Sequence, residues 1–414
     1  MSEKSRAYKA AVGSILAVVL AIGSYGTVPL FLVPLSQSLG VSIGQVSLLF
    51  TFAASAGLVA SLFFGTILKK LGVKRLACLT GAALATFYVF LFLAKNTVMV
   101  YIGAMIYGFS TSTGGYALAQ TEITWWFSKG RAKVMSLLNI GVGLVGMVLA
   151  PVIASALEAL GMRSVALIQG LLTGGLMIVN GLIFLSEHPS AYGLHPLGYV
   201  PEEAPAAAAE TVQKAQKLTL KQMVTSAPFW LIFLACVLIS AASTGFTNNA
   251  SAFYQSIGLT AVQASFCISL YNAVKLGWSP VFGTLTDKKG PGFATLICGA
   301  LCAATLFAGP MLTGYAGAIT IAVMIGAISF SGMLGALCYP RVFGTKEAAN
   351  LVGFASAAGS VGAMIGAPIA GFIYDATSSY STYLAVAAGM IVVGIVFTML
   401  GTSKKYIAKY AGAE

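Results

Sequence analysis

The sequence GTILKKLG at residues 65–72 recurs almost unchanged as GTLTDKKG at residues 283–290. Both stretches read Gly-Thr-x-x-x-Lys-x-Gly, and the second begins about half the chain length after the first. Hydrophobic sequence flanks each of them on both sides. A short basic turn that recurs at this distance predicts a chain built from two equivalent halves.

The composition indicates which solvent surrounds these halves. Of the 414 residues, 58% are hydrophobic and only 8% are charged, whereas a soluble protein carries about 25% charged residues. The hydrophobic residues form runs long enough to cross a bilayer, broken by short polar turns. Backbone groups in lipid must hydrogen-bond within their own segment, and the alternating pattern of barrel strands is not seen, so the runs are predicted to be helices.

We predict twelve transmembrane helices and therefore an all-α membrane protein. The predicted limits are 10–35, 43–68, 75–94, 98–127, 132–157, 164–185, 227–255, 261–285, 292–309, 315–340, 347–373 and 380–401. With the N-terminus in the cytoplasm, nearly all of the 23 Lys and Arg residues fall in cytoplasmic segments, while Lys95 and Arg163 fall in outer loops. This bias predicts that both termini are cytoplasmic. We expect a multi-pass protein of a bacterial inner membrane, whose net charge of +12 favours contact with anionic lipid and not with nucleic acid.

A second repeat supports the division into halves. Glycines and a proline in span five recur in span eleven: Gly141, Gly143, Gly146 and Pro151 correspond to Gly359, Gly362, Gly366 and Pro368. We therefore expect two six-helix bundles, residues 1–185 and 227–414, the second with a short cytoplasmic tail, related by a pseudo-two-fold axis along the membrane normal. Residues 186–226 are polar and contain His188 and His195. They are predicted to form a partly disordered cytoplasmic linker that ends in a short amphipathic helix near TLKQMV.

The repeated turns carry a resemblance to a known family. In the major facilitator superfamily the loop after span two reads Gly-x-Leu-x-Asp-Arg/Lys-x-Gly-Arg/Lys-Arg/Lys, and GTLTDKKG resembles it, including Asp287. GTILKKLGVKR is similar but has Lys69 where the family has its acid. In that family the acid of this loop helps to latch the two halves on the cytoplasmic side. The resemblance therefore implies these latch residues: Gly65, Lys70, Gly72, Lys74, Arg75, Gly283, Asp287, Lys288 and Gly290.

Three further stretches narrow the resemblance. WWFSKGRAKVMSLLNIG at residues 125–141, AYGLHPLG at 191–198 and LTLKQMVTSAPFW at 218–230 are similar to stretches of the monocarboxylate porters and the related oxalate:formate antiporters. This resemblance implies a secondary active transporter of small organic anions that works by alternating access. We expect it to be a functional monomer.

One charged residue lies deep in a predicted span. Lys275 is close to the midplane of span eight, where a charge costs roughly 2.5–3.5 kcal/mol. Tyr271, Trp278 and Ser279 share its helical face, and span eight contains no acid that would neutralise it. A mobile anion is the expected partner, which predicts a substrate site at these residues. The alternative is a lysine that reaches the interface or pairs across helices as part of the packing.

The chain departs from its relatives at this site. Monocarboxylate porters carry an Asp in span eight and an Arg one turn later, where this chain has Lys275 and Ser279. The second cation that the oxalate:formate antiporters add in span eleven has no counterpart. A single positive charge favours a monovalent anion, most simply a monocarboxylate.

The lone lysine also bears on the mode of transport. We expect anion exchange, because an empty carrier would have to move an unpaired lysine. Proton-coupled carboxylate symport is the alternative, if Lys275 releases its proton when the carrier is empty. A drug exporter of the same fold is a further alternative, although it would normally need an intramembrane acid.

Other polar residues in the predicted spans form a second group of substrate-site candidates: Tyr25, Tyr116, Gln120, Asn139, Asn248 and Asn249. For each of them a hydrogen bond between helices explains the residue as well as a ligand contact, because either one satisfies a polar group in lipid. Glu122 lies near the cytoplasmic end of span four. There it is expected to pair with Lys129 or Arg131 at the interface, and a protonation role is the alternative.

The motifs give no support to other classes of protein. Both histidines lie in the linker, and the sequence contains neither a His-Glu-x-x-His motif nor a Walker-type phosphate loop. Cys298 and Cys302 are one helical turn apart, but no His or carboxylate joins them. We therefore expect a protein that is not an enzyme and holds neither a metal nor a cofactor. Its expected ligands are the organic anion, membrane lipid and, in the symport alternative, protons.

Overall fold

The computed structural model describes residues 3–128, 131–197 and 220–410. About 90% of the structure is helical, which confirms the predicted all-α fold. The chain divides into two compact units, Met1–Ala204 and Pro205–Glu414. Each unit contains the helices of six predicted spans.

The N-terminal unit holds the first six spans. Its described α-helices are α1 (Glu3–Tyr25), α2 (Leu32–Leu39), α3 (Ile43–Leu93), α4 (Thr97–Gly114), α5 (Tyr116–Trp126) and α6 (Arg131–Ile183). A 3₁₀ turn at Val28–Phe31 separates α1 from α2 within the first predicted span. Gly115 separates α4 from α5 within the fourth.

The C-terminal unit holds the other six spans. Its described α-helices are α7 (Leu220–Val224), α8 (Ala227–Ser256), α9 (Ala261–Lys289), α10 (Pro291–Ala308), α11 (Gly314–Ile325), α12 (Leu334–Phe343), α13 (Thr345–Thr377), α14 (Ser381–Gly401) and α15 (Lys404–Tyr410). A 3₁₀ turn at Gly326–Gly332 separates α11 from α12 within predicted span ten. The short helix α7 lies where the sequence TLKQMV predicted one.

Long apolar helices account for most of the predicted spans. Within the described residues, eight helical segments are long and apolar enough to cross a membrane. Two of these, Ile43–Leu93 and Ile140–Ile183, each cover most of two predicted spans. The two predicted spans outside this set, α4–α5 and α9, are also helical. The fourth predicted span is divided at Gly115 into helices of 18 and 11 residues, and α9 contains the charged Lys275.

The two repeated turns share an unusual backbone geometry at their final glycine. α3 is broken at Gly72, with φ 74° and ψ 170°. α9 ends at Gly290, with φ 87° and ψ 162°. These angles are essentially restricted to glycine, because a side chain would clash with the neighbouring peptide groups. The sequence repeat therefore corresponds to a repeat of local structure.

Small residues let α8 and α13 approach closely. A Cβ at Gly362 would lie 2.5 Å from the Val237 carbonyl oxygen and 2.7 Å from the Ser240 side chain. Ser240 Oγ donates a hydrogen bond to the Gly359 carbonyl oxygen at 2.8 Å. The glycines that echo span five are thus contact points between two helices of the C-terminal unit.

Part of the predicted linker packs against the N-terminal unit. Residues 186–197, which we call the docked segment, follow α6 directly. The Leu197 N–H donates to the Trp126 carbonyl oxygen at 2.8 Å, and the Ser128 N–H donates to the Leu197 carbonyl oxygen at 2.9 Å. Tyr192, Leu194 and Leu197 lie against the apolar cluster formed by α1 and α5. Residues 198–219 of the predicted linker lie outside the described residues.

Candidate functional site

The helix that carries Lys275 has well-defined ends. At its start the Thr260 side chain accepts a hydrogen bond from the Gln263 N–H, and the Gln263 side chain accepts one from the Thr260 N–H. This capping box fixes the N-terminus of α9, and Gly290 ends the helix. The ends fix the helical register, so Lys275 lies near the centre of α9.

The Lys275 ammonium is the central group of the candidate site. Its side chain is partly buried, and Nζ lies 5.7 Å from the centroid of the Tyr271 ring. Among the described residues, no hydrogen-bond acceptor or carboxylate pairs with this ammonium. The Tyr271 hydroxyl lies 3.5 Å from Thr247 Oγ1 on α8. The arrangement offers an anion one cation and neighbouring hydroxyl groups.

The backbone around Lys275 is held from the α11–α12 side. A Cβ at Gly326 would lie 3.4 Å from the Lys275 backbone nitrogen and 3.2 Å from Trp278 Cδ1. The Ser279 hydroxyl donates to the Lys275 carbonyl oxygen at 3.1 Å. Trp278 thus packs against the 3₁₀ turn, and the Ser279 hydrogen is used within the helix, although its oxygen can still accept a hydrogen bond.

The two adjacent asparagines of α8 have different environments. Asn249 Nδ2 donates to the carbonyl oxygens of Gly245 and Ala367, both at 3.0 Å. Asn249 therefore joins α8 to α13, which is the interhelical role that the sequence left open. Asn248 is 5% exposed, and no hydrogen bond of its side chain is found in the described part of the chain. Asn248 remains the better ligand candidate.

The remaining substrate-site candidates lie in the N-terminal unit. The Tyr25 ring stacks on Tyr107 with centroids 5.9 Å apart. Tyr116 packs against the apolar cluster of α1 and α5, and Gln120 is exposed. Asn139 belongs to α6 at a position whose side chain lies outside the described residues.

A buried polar network near Tyr25 has no counterpart in the sequence analysis. Gln169 Nε2 donates to Thr27 Oγ1 at 2.6 Å and to the Tyr88 hydroxyl at 2.8 Å. Thr27 Oγ1 and the Tyr88 hydroxyl both donate to the Ser24 carbonyl oxygen. The Ser24 hydroxyl lies 3.0 Å from the Tyr107 hydroxyl. The network supplies hydrogen bonds to the Ser24 carbonyl oxygen, where the first span is interrupted. The sequence feature that could have indicated it is the pair Ser24 and Thr27 on either side of Gly26.

The predicted latch residues lie on two exposed turns. Lys70, Lys74 and Arg75 are exposed near Gly72, and Asp287 and Lys288 are exposed near Gly290. Gly65 and Gly283 lie about two helical turns before these glycines, and a Cβ at either would meet nothing within 4 Å.

The turn at Gly72 has an additional partner that the sequence did not predict. Glu187 Oε1 accepts hydrogen bonds from the Val73 N–H at 2.9 Å and the Lys74 N–H at 3.4 Å. A carboxylate there satisfies the first free N–H groups of the second half of α3. The N-terminal turn, which lacks the family acid, thus contacts an acid from the docked segment.

The Glu122 carboxylate has contacts that the sequence did not predict. Its side chain is fully buried. Its carboxylate accepts from Ser14 Oγ at 2.7 Å and from the Ser186 N–H at 2.6 Å. The expected partners Lys129 and Arg131 have side chains outside the described residues. Burial arises because the docked segment covers the end of α5, a contact that the local sequence does not reveal.

The described residues contain no group of three His, Cys, Asp or Glu side chains that could hold a metal ion. The long apolar helices define a multi-pass membrane protein. The model of the Major Facilitator Superfamily matches residues 13–340. Because this match spans well over half of the chain, the chain belongs to the Major Facilitator Superfamily, whose members bind small-molecule substrates.

Two relatives match more than half of the chain. YhjX of Escherichia coli (strain K12), an uncharacterized MFS-type transporter, is 24% identical over 321 residues, which cover 73% of this chain and 75% of YhjX. The oxalate:formate antiporter of Oxalobacter formigenes is 22% identical over 257 residues. That match covers 62% of this chain and 58% of the antiporter, so the chain spans less than two thirds of this relative.

Solved structures show the same fold. The crystal structure of the nucleoside transporter NupG has a TM-score of 0.70 at 12% identity, over 96% of this chain and 98% of NupG. A bacterial homolog of the human lysosomal transporter Spinster, in an inward-facing and unoccupied conformation, has a TM-score of 0.70 at 14% identity, over 99% and 98% of the two chains. At these identities the likeness concerns the fold alone.

Proposed function

We propose that this protein is a secondary active transporter of small monocarboxylates, and that the transported anion binds at Lys275. The observation that carries the proposal is the Lys275 ammonium, which is partly buried beside Tyr271 and has no pairing carboxylate among the described residues. A charge held inside a membrane helix is costly and typically marks a substrate or ion pathway. A carboxylate would pair with the ammonium and accept a hydrogen bond from a nearby hydroxyl.

Two further observations support an anion as the cargo. One relative is named an oxalate:formate antiporter, which indicates that this fold and a related sequence can exchange small carboxylates. The chain differs from that group by having one cation in its candidate site, and a single cation suits a monoanion. We take exchange of one carboxylate for another as the principal mode.

The proposed setting is a bacterial inner membrane with both termini in the cytoplasm. The distribution of Lys and Arg supports this orientation. The relatives in Escherichia coli support a bacterial setting. The repeated turns would then lie on the cytoplasmic side of the membrane.

Replacement of Lys275 tests the proposal. In proteoliposomes we expect Lys275→Gln to lose at least tenfold in labelled monocarboxylate uptake, because one charge-assisted contact contributes roughly 1.5–3 kcal/mol. Its melting temperature should equal or exceed that of the unmodified protein, because the substitution removes an unpaired buried charge. Lys405→Gln, an exposed lysine of α15, is the matched control and should transport normally. Normal uptake by Lys275→Gln would exclude Lys275 as the anion site.

A further inference from the structure

Glu122 has a buried carboxylate side chain. The proposed transport of an anion at Lys275 gives this side chain no role. It lies on α5, is fully buried, and accepts one hydrogen bond from Ser14 and one from the Ser186 N–H. No Lys or Arg side chain of the described residues pairs with it. Removing a carboxylate from water without a compensating cation is costly, so a purely structural role would be served more cheaply by a neutral side chain such as Gln.

The contact with Ser186 links Glu122 to the docked segment. Ser186 is the first residue of that segment, and Leu197 at its other end pairs with the backbone of Trp126. Between these ends, the Arg6 guanidinium lies 4.0 Å from the centroid of the Tyr192 ring. Glu122 therefore holds one end of a segment whose middle and far end are held by α1 and α5.

The residue after Ser186 reaches a second element. Glu187 accepts hydrogen bonds from the backbone of Val73 and Lys74 at the turn beside Gly72. Neighbouring residues of the docked segment thus bind the end of α5 through a backbone N–H and the turn in α3 through a carboxylate. The Glu122–Ser186 contact is therefore adjacent in the chain to a contact with a predicted latch turn of the same unit.

We propose that Glu122 is a proton-binding site, and that its proton controls how firmly residues 186–197 are docked. A hydrogen bond to an ionised acceptor is roughly twice as strong as one to a neutral acceptor. When a solvent proton binds Oε2, the new O–H donates to Ser14 Oγ, and the Ser14 hydrogen turns to another acceptor. The Ser186 N–H then faces a neutral acceptor. Acid should therefore loosen the docked segment.

Other ionisable groups surround the same segment and must be separated from Glu122. The Glu187 carboxylate and the exposed His188 imidazole belong to the segment itself, and the His188 ring lies 5.3 Å from that of Trp125. On α1, Glu3 Oε1 accepts from the His195 N–H at 3.2 Å, and Arg6 lies on Tyr192. The side chains of Lys129 and Arg131 are outside the described residues. His188 is the main competitor, because its exposed imidazole belongs to the docked segment and lies against Trp125 of α5.

Hydrogen exchange of the purified full-length protein tests the proposal without any transport assay. The measured quantity is the protection factor of backbone amides in residues 186–197, which removes the intrinsic pH dependence of exchange. In the unmodified protein we expect protection to fall roughly five- to tenfold from alkaline to mildly acidic pH, the difference between an ionised and a neutral acceptor. Glu122→Gln keeps a neutral acceptor at every pH and should show low, pH-independent protection.

Three variants make the outcome decisive. Glu158→Gln alters an exposed carboxylate and should keep the full pH dependence, and so should His188→Gln. Ser14→Ala keeps the Glu122 carboxylate but removes one donor to its ionised form, so the pH profile of protection should move to higher pH. Ser14→Ala also serves as the test variant if Glu122→Gln does not fold. A pH-independent unmodified protein, or a Glu122→Gln variant with the unmodified profile, would overturn the proposal. Because no substrate is present, these outcomes are independent of whether Lys275 binds an anion.

Discussion

At the scale of single residues, the polar groups of this protein differ in whether the fold gives them a partner. Asn249 and Glu122 have specific donors or acceptors within their own unit, and these contacts join separate elements. Lys275 and Asn248 have no such hydrogen bonds among the described residues. A polar group left without a partner in a membrane helix is the better candidate for contact with a transported ligand.

Asn248 and Asn249 allow this distinction to be tested at neighbouring positions. We expect Asn249→Ala to destabilise the protein by about 0.6–1.7 kcal/mol, the range for interhelical hydrogen bonds in membranes, because the Ala367 carbonyl oxygen loses its donor. Asn248→Ala should leave the melting temperature in detergent nearly unchanged. Equal melting temperatures for the two variants would show that the α8–α13 hydrogen bond contributes nothing to stability.

At the scale of secondary-structure elements, the repeated turns are the clearest feature of the fold. Their final glycines have matching backbone angles, although their surroundings differ. A Cβ at Gly72 would lie 2.8 Å from Glu187 Oε1, whereas a Cβ at Gly290 would meet nothing within 4 Å. The two turns thus share a backbone conformation but differ in their acid. The turn at Gly72 contacts Glu187 of the docked segment, whereas GTLTDKKG carries Asp287 within the turn.

Alanine substitutions at the two glycines should have unequal effects. Gly290→Ala should cost about 1–3 kcal/mol, because its φ and ψ are nearly inaccessible to a residue with a side chain. Gly72→Ala should cost more, because the new methyl group also displaces the Glu187 carboxylate. Thermal unfolding in detergent measures both effects.

Gly277→Ala is the control for these two substitutions. Gly277 lies inside α9 and has open space where a Cβ would stand. Alanine there should be neutral or stabilising by up to about 1 kcal/mol, because it is the better helix former. A Gly72→Ala variant as stable as Gly277→Ala would contradict the assigned backbone geometry.

At the scale of the whole molecule, the mode of transport follows from the charge that each cycle must move. An empty carrier would change conformation with Lys275 unpaired at the membrane midplane. A loaded carrier would change conformation with a neutral ion pair there. We therefore expect the loaded transition to be faster, which favours exchange of one carboxylate for another. Deprotonation of the empty lysine would remove this penalty and permit symport with a proton.

Vesicle loading separates these two modes. Proteoliposomes without an internal anion, given an inward proton gradient and labelled monocarboxylate, should stay nearly empty under exchange. The same vesicles loaded with unlabelled monocarboxylate should take up the label. Substantial filling of the anion-free vesicles, driven by the proton gradient, would indicate symport instead. Vesicles prepared with Lys275→Gln protein should remain inactive under both conditions.

The sequence by itself determined the all-helical membrane fold, its twelve spans and the position of Lys275 near the centre of α9. These follow from local quantities, namely the length of apolar runs, the spacing of glycines and a single charge within a span. The two glycines with matching backbone angles, Gly72 and Gly290, also occupy the same position in a short repeated motif. The family could be inferred for the same reason, since its motifs are contiguous in the chain.

Only the tertiary structure decided which polar residues are already satisfied. Glu122 meets Ser14 and Ser186, which lie 108 and 64 positions away, and Gln169 meets Thr27 across 142 positions. Asn248 and Asn249 are adjacent and identical in sequence, about 100° apart around the helix, but only the Asn249 hydrogen bond to α13 is found among the described residues. Such contacts depend on the packing of distant helices, and no local pattern of hydrophobicity or charge specifies that packing.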